Sequence, residues 1–190
     1  SLSVLFFSQC YALKHNAKLY PVIIDHKLRK ESTTEAKNLK YKLKKNFNIN
    51  CKILSKKITK IDNNIQSYAR DIRYNLLFKE CNKHKIDCLL LGHHKDDLIE
   101  NFFIRFLRGS GLKGLVSFEK NIINYNGITI IRPFLSISKD DLISINKKTF
   151  GFFLEDPTNY NDKFLRSRIR KLINNLDNEG LNFNKFYLTL

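Results

Sequence analysis

Several features are missing from this 190-residue chain, and each absence removes a class of protein. No two of its four cysteines, Cys10, Cys51, Cys81 and Cys88, stand at CxxC spacing. A zinc ribbon or redox dithiol therefore lacks its ligands, and reduced core thiols in a cytoplasmic protein are the expectation. No apolar run is long enough to cross a bilayer, so no membrane partner is expected. Leu2 to Phe7 is apolar, but no basic segment precedes it and it ends at Ser8-Gln9, unlike a signal peptide. No repeat, low-complexity tract or Pro/Gly-rich linker divides the chain, whose length suits one well-buried domain. The first residue is Ser rather than Met, so the chain is expected to have lost its true beginning. Acid is scarce as well: 18 Asp plus Glu against 34 Lys plus Arg leave a net charge of +16. That balance favours a polyanionic partner through phosphate neutralisation, although abundant Lys, Asn and Ile in an AT-biased genome would also raise it. A hydrophobic fraction of 43% and a charged fraction of 27% exclude wholesale disorder.

What is present alternates. Apolar spacing predicts a helix over 2–15, a buried strand over 19–24 ending at Asp25-His26, and a Lys-rich amphipathic helix over 31–45. A strand over 51–54 follows, then a helix capped by Asp62 with Ile65, Ala69, Ile72 and Leu76 on its stripe. A strand over 86–91 is continuously apolar at Cys88-Leu89-Leu90-Leu91, as a strand covered on both faces should be, and a helix runs from His94 to Arg108. The alternation predicts an α/β fold with an open, mostly parallel sheet and helices on both faces, its chemistry at the carboxyl ends of the strands. Beyond Gly114 the pattern changes to a hairpin, 122–125 and 128–131 around a type I′ Asn126-Gly127 turn, then helices over 137–149 and 165–176. The expected division is a catalytic domain over 1–150 and a basic extension of it over 151–190.

The densest chemistry is Gly92-His93-His94-Lys95-Asp96-Asp97-Leu98-Ile99-Glu100, at the top of a buried strand. His93, Asp96 or Asp97, and Glu100 fall at helical spacing and are expected on one face. Carboxylates so close repel unless a cation lies among them, and a hard ion bound to phosphates suits oxygen donors. A helix start decorated with acids that complement its dipole, and a transition-metal site on His93 and His94, are the alternatives.

HHKDDLIENFFIRFLRGSGLKGL resembles the HHxDDxxET…LRGSGxxGL signature of the tRNA(Ile)-lysidine synthetases, within the PP-loop (N-type ATP pyrophosphatase) superfamily. Four further blocks run in the same order. Asp25-His26-Lys27-Leu28-Arg29 is similar to DHGLR with Lys27 in place of Gly, and Ala69 to Tyr74 matches ARxxRY. Arg132-Pro133-Phe134-Leu135 with Ser138-Lys139-Asp140-Asp141-Leu142 resembles RPLL…SRxDL, and Glu155 to Asn159 with Arg166 to Arg170 resembles EDPSN…RNxIR. The resemblance covers residues 1–176 and implies an adenine nucleotide alpha hydrolase-like fold without its first strand. Only Ser1 is left of the family's SGGxDS phosphate loop, so this chain alone is expected to be inactive.

The resemblance implies an activity in two steps, with ATP and Mg²⁺ as cofactors. ATP adenylates the C2 oxygen of the wobble cytidine of a tRNA(Ile) with a CAU anticodon, and pyrophosphate leaves. The ε-amine of free L-lysine then attacks C2 and expels AMP. On this basis Asp96 and Asp97 are candidate metal ligands, and Asp97, Asp96, Arg73 and His94 candidate catalytic residues. Ser1, Asp25, His26, Gly92 and His93 are candidates to hold the nucleotide, with a structural Asx turn as the rival account of Asp25. Arg70, Arg108, Arg132, Arg166, Arg168 and Arg170 are candidate RNA contacts, against a solvated basic face. Gly109 is expected to end the helix in a left-handed conformation and Gly111 to permit close backbone approach.

Asn101 stands where the family has Thr, Ser167 where it has Asn, and no proline follows Ile169-Arg170. The alternatives left open are another PP-loop tRNA-modifying adenylating enzyme, a metal-dependent phosphohydrolase, and a catalytically dead RNA-binding fragment. A homodimer is also left open.

Overall fold

A computed structural model of the chain describes residues 1–27, 29–56, 65–115, 121–154 and 164–188. They form an α/β protein of two compact units, Phe7–Leu89 and Ser1–Phe6 with Leu90–Leu190. Helix α1 (Leu2–His15) and strand β3 (Cys88–Leu90) each have residues in both.

In the unit Phe7–Leu89, β1 (Val22–Asp25) and β2 (Lys52–Ser55) pair in parallel, Val22 opposite Lys52 and Asp25 opposite Ser55. Helix α2 (Ser32–Phe47) connects them, as parallel strands require. It ends at Asn48, left-handed at φ 53°, whose N–H reaches the Lys44 carbonyl while that of Ile49 reaches Leu43. These bonds satisfy carbonyls the last turn would otherwise leave open. Ala36 and Leu43 of α2 are buried, as are Ile49, Cys51 and, on α3 (Ile65–His84), Ala69, Ile72, Leu77 and Cys81. The expected Asp62 cap of α3 lies outside the described residues. A polar staple also ties α3 to both strands' entries. The carboxylate of Glu80 accepts the Tyr20 hydroxyl at 2.9 Å and the Lys52 ammonium, with His84 Nε2 at 3.1 Å.

In the other unit, β4 (Ile122–Tyr125) and β5 (Ile128–Ile131) form the predicted hairpin, with Asn126 and Gly127 at φ 50° and 78°. Both central residues having positive φ is the requirement of a type I′ turn. The hairpin does not stand apart. Strand order is β3-β5-β4, and the Leu91 N–H donates to the Ile131 carbonyl at 2.9 Å. The described strands thus form the parallel pair β1-β2 and the set β3-β5-β4, which the hairpin joins, within the expected α/β class.

Helices α4 (Lys95–Leu107), α5 (Leu112–Leu115), α6 (Lys139–Phe150), α7 (Leu165–Asn178) and α8 (Phe183–Leu188) complete this unit; sequence periodicity is blind to α5 and α8, which are too short to show it. α6 is capped by Ser138, whose Oγ accepts the Asp141 N–H at 3.1 Å, and ends at Gly151, φ 74°. Ser3 of α1, fully buried, donates to Asn146 Oδ1 of α6 at 2.9 Å. α8 lays Phe186 against Phe102 and Phe103 of α4, and its Asn184 accepts Lys95 Nζ at 2.6 Å.

Candidate active site

The chemistry of the larger unit begins at Gly92, just past β3. A Cβ there would stand 2.4 Å from Ser1 Cβ and 3.2 Å from Val4 Cγ2, so the backbone touches the start of α1 and only hydrogen fits. His94 then opens α4 in an extended conformation, φ −129° and ψ 177°. The Lys95 N–H donates to the Ile137 carbonyl at 2.9 Å, which draws the segment before α6 to the same place. Three helices, α1, α4 and α6, therefore begin beside the end of β3. Helix starts carry unpaired N–H groups and partial positive charge, a setting suited to anions.

Of the acids at the start of α4, Asp97 and Glu100 share a face, and Asp96 lies on another. Asp96 turns to α6, where its Oδ2 accepts the Lys139 N–H at 2.8 Å; its side chain is 46% exposed. Asp97 and Glu100 turn to α7. Asp97 Oδ2 accepts the His94 N–H at 3.0 Å, and Oδ1 stands 4.0 Å from Arg166 Nη1. Glu100, 3% exposed, takes both Arg170 Nε and, at 3.2 Å, Nη2. Adjacent helical residues diverge by roughly 100° in projection, and the α6 and α7 partners fix which acid goes where.

Electrostatics follow this division. The His94 imidazole lies between two carboxylates, Nδ1 3.4 Å from Asp96 and Nε2 3.6 Å from Asp97. Nδ1 is buried between them. Burial opposes protonation of His94, but Asp96 and then Asp97 outweigh it and raise its pKa. Burial pushes the Asp96 carboxyl up, yet His94 and the Lys139 N–H hold it below its ordinary value. Burial pushes Glu100 upward, and Arg170 works against that.

In the unit Phe7–Leu89 a second group sits at the end of β1. Asp25, 3% exposed, accepts the Lys27 N–H at 2.9 Å, the Ser32 hydroxyl at 2.8 Å and the Thr33 hydroxyl at 2.7 Å. These bonds form an Asx turn that shapes the loop carrying His26. Lys27 occupies a left-handed position, φ 51°, that would suit the glycine of the resembled motif. Burial and then the charge of Arg73 lower the His26 pKa. Arg70 and Arg73 lie 5.2 and 6.0 Å from the Tyr74 ring centroid.

The family model for the PP-loop domain matches residues 1–176. The chain belongs to the PP-loop domain family. Among curated relatives, the tRNA(Ile)-lysidine synthase of Orientia tsutsugamushi (strain Boryong) is 38% identical over 176 residues, which are 93% of this chain and 39% of that protein. That of Rickettsia prowazekii (strain Madrid E) is 37% identical over 173 residues, 90% of this chain and 39% of that protein. This PP-loop chain thus spans about two fifths of the length of these relatives. Among solved structures, the U34-tRNA thiolase NcsA of Methanococcus maripaludis with its [4Fe-4S] cluster superposes at TM-score 0.77 with 18% identity, covering 100% of this chain and 65% of that one. It shares the fold.

Within the PP-loop domain the other expected residues divide by exposure. Arg108 and Arg168 are exposed, and Arg166 is half-buried against Asp97. Arg170, expected at RNA, is engaged by Glu100, and Arg132 is 5% exposed, too enclosed to meet a phosphate backbone in this conformation. Gly109 has the expected left-handed φ of 70°. Gly111, however, has open space around it, and the close approaches fall at Gly92 and at Gly114, whose Cβ would meet Ser110 Cβ at 3.2 Å. Among the described residues no group of three or more His, Cys, Asp or Glu could hold a metal ion. The donors fit a different case, a Mg²⁺ held largely by phosphate and water with one or two carboxylates. The contributions of Lys139 and of α6 were missed from sequence, although the Ser138 cap was there to be read. The Glu155 to Asn159 block lies outside the described residues.

Among the described residues no helix is long and apolar enough to cross a membrane.

Proposed function

We propose that this chain is the catalytic PP-loop part of an ATP-dependent tRNA-modifying ligase that joins L-lysine to C2 of the wobble cytidine of tRNA(Ile). The observation that carries the reading is the contact of Gly92 with Ser1, which joins the start of α1 to the acid-bearing start of α4. Helix starts would face the phosphates of ATP, and Asp96 and Asp97 would hold Mg²⁺ or the ammonium of lysine. His94, kept protonated more readily by the two aspartates, is suited to balance charge beside a leaving phosphate. Exposed Arg108 and Arg168 are suited to the RNA backbone. The kinship with curated lysidine synthases supports the substrate assignment.

The test uses the full-length protein with ATP, L-lysine and unmodified tRNA(Ile). Pyrophosphate release should depend on the tRNA, and the product nucleoside should carry the mass of lysine. Release that proceeds equally without tRNA would sink the reading.

A further inference from the structure

Tyr74 is a polar residue whose polar end meets no hydrogen-bonding group among the described residues. It lies on α3 behind Arg70 and Arg73, and its ring also meets Phe78 at a centroid distance of 5.7 Å. Its hydroxyl is buried and has no hydrogen-bond partner among the described residues. A hydroxyl withdrawn from water without a partner is unfavourable, and phenylalanine would fill the same ring volume without that penalty. The same unit has a second such atom. His26 Nδ1 is buried and unpartnered among the described residues, and His26 and Arg73 are close enough for the guanidinium to bear on the imidazole's charge. Burial first, then Arg73, lowers the pKa of that imidazole.

We propose that the Tyr74 hydroxyl is a ligand-binding donor, completing with Arg70, Arg73 and His26 a subsite for phosphoryl oxygens. Two guanidiniums against one aromatic ring supply positive charge suited to a phosphate. The neutral phenol adds a directional bond that cations alone do not give. It also selects: a ligand unable to accept that bond would leave the hydroxyl unpaired. The source of the phosphoryl group, ATP or the tRNA backbone, rests on the function proposed above.

Tyr74→Phe separates this role from a structural one. Full-length protein, wild type and Tyr74→Phe, is titrated with ATP by calorimetry and with tRNA(Ile) by filter binding, and each melting temperature is recorded. The expected result is a loss of roughly ten- to a hundredfold in one arm, the size of a bond to a charged group, with an unchanged or higher melting temperature. Loss in the ATP arm assigns the subsite to the nucleotide, and loss in the tRNA arm to the RNA. Equal affinities in both arms overturn the proposal, and so does a lowered melting temperature, which would make the hydroxyl part of the fold. Failure of the wild type to bind either ligand would instead strike the functional reading.

Discussion

Glu80 on α3 and the acids at the start of α4 are both carboxylates set among basic groups, and they are built differently. Around Glu80, a tyrosine, a lysine and a histidine converge on one oxygen, tying α3 to the entries of β1 and β2. All three contacts fall on Oε1, and the carboxylate serves to hold these elements together. At α4 the acids are parcelled out: Glu100 is enclosed with Arg170, whereas Asp96 remains 46% exposed and Asp97 keeps an oxygen 4.0 Å from Arg166, beyond hydrogen-bond reach. The contrast teaches that burial and cationic neighbours do not mark a reactive acid. Residual bonding capacity beside an open helix start does.

The contrast can be broken in three places. The largest effect is expected at Asp97→Asn in the full-length protein. Asparagine keeps an oxygen for the His94 N–H and loses the charge, so tRNA-dependent pyrophosphate release should fall by about 10²–10³-fold with little change in melting temperature. Retained turnover would move Asp97 to the structural class with Glu80. Next comes Glu100→Ala, which strands a half-buried guanidinium. A loss of about 3–5 kcal/mol in denaturant unfolding is expected, and a loss under 1 kcal/mol would mean that the pair is dispensable. The smallest effect is in pH dependence. The Glu80 pKa is held below its ordinary 4.5, Lys52 being the largest cause, so its contribution is present above that value and lost as pH falls through the folded pKa. The His94 pKa is raised above 6.5, so its contribution is full below that value and lost as pH rises through the folded pKa. Thermal melts of Glu80→Gln should lose the acid-side slope and those of His94→Gln the neutral-side slope; slopes identical to wild type would refute both assignments.

Much of this was legible in the residues. Apolar spacing locates α1 through α4 and α6, α7 to within a few positions, and Asn126-Gly127 specifies its hairpin. The Gly92 to Glu100 block announces its chemistry because so many ionisable groups in two turns have few bland explanations. What sequence spacing could not supply was the direction of each acid. Asp96 and Asp97 are neighbours, yet one is claimed by Lys139 and the other faces Arg166, partners some 43 and 69 positions away. At Asp25 the residues left a nucleotide ligand and an Asx turn both open, and Ser32 and Thr33 on the next helix bond its oxygens. The hairpin's union with β3 was likewise invisible, since pairing between distant strands leaves no local periodicity.

The gap between residue 92 and the first side chain of α1 amounts to a gauge with a single setting. Because Ser1 Cβ, bonded directly to the main chain, fills the other side, a methyl group could be admitted only by displacing the start of α1. The spacing of the whole anion-facing rim is thereby set by one missing atom, and every change in its neighbours is tolerated only as far as that atom stays missing.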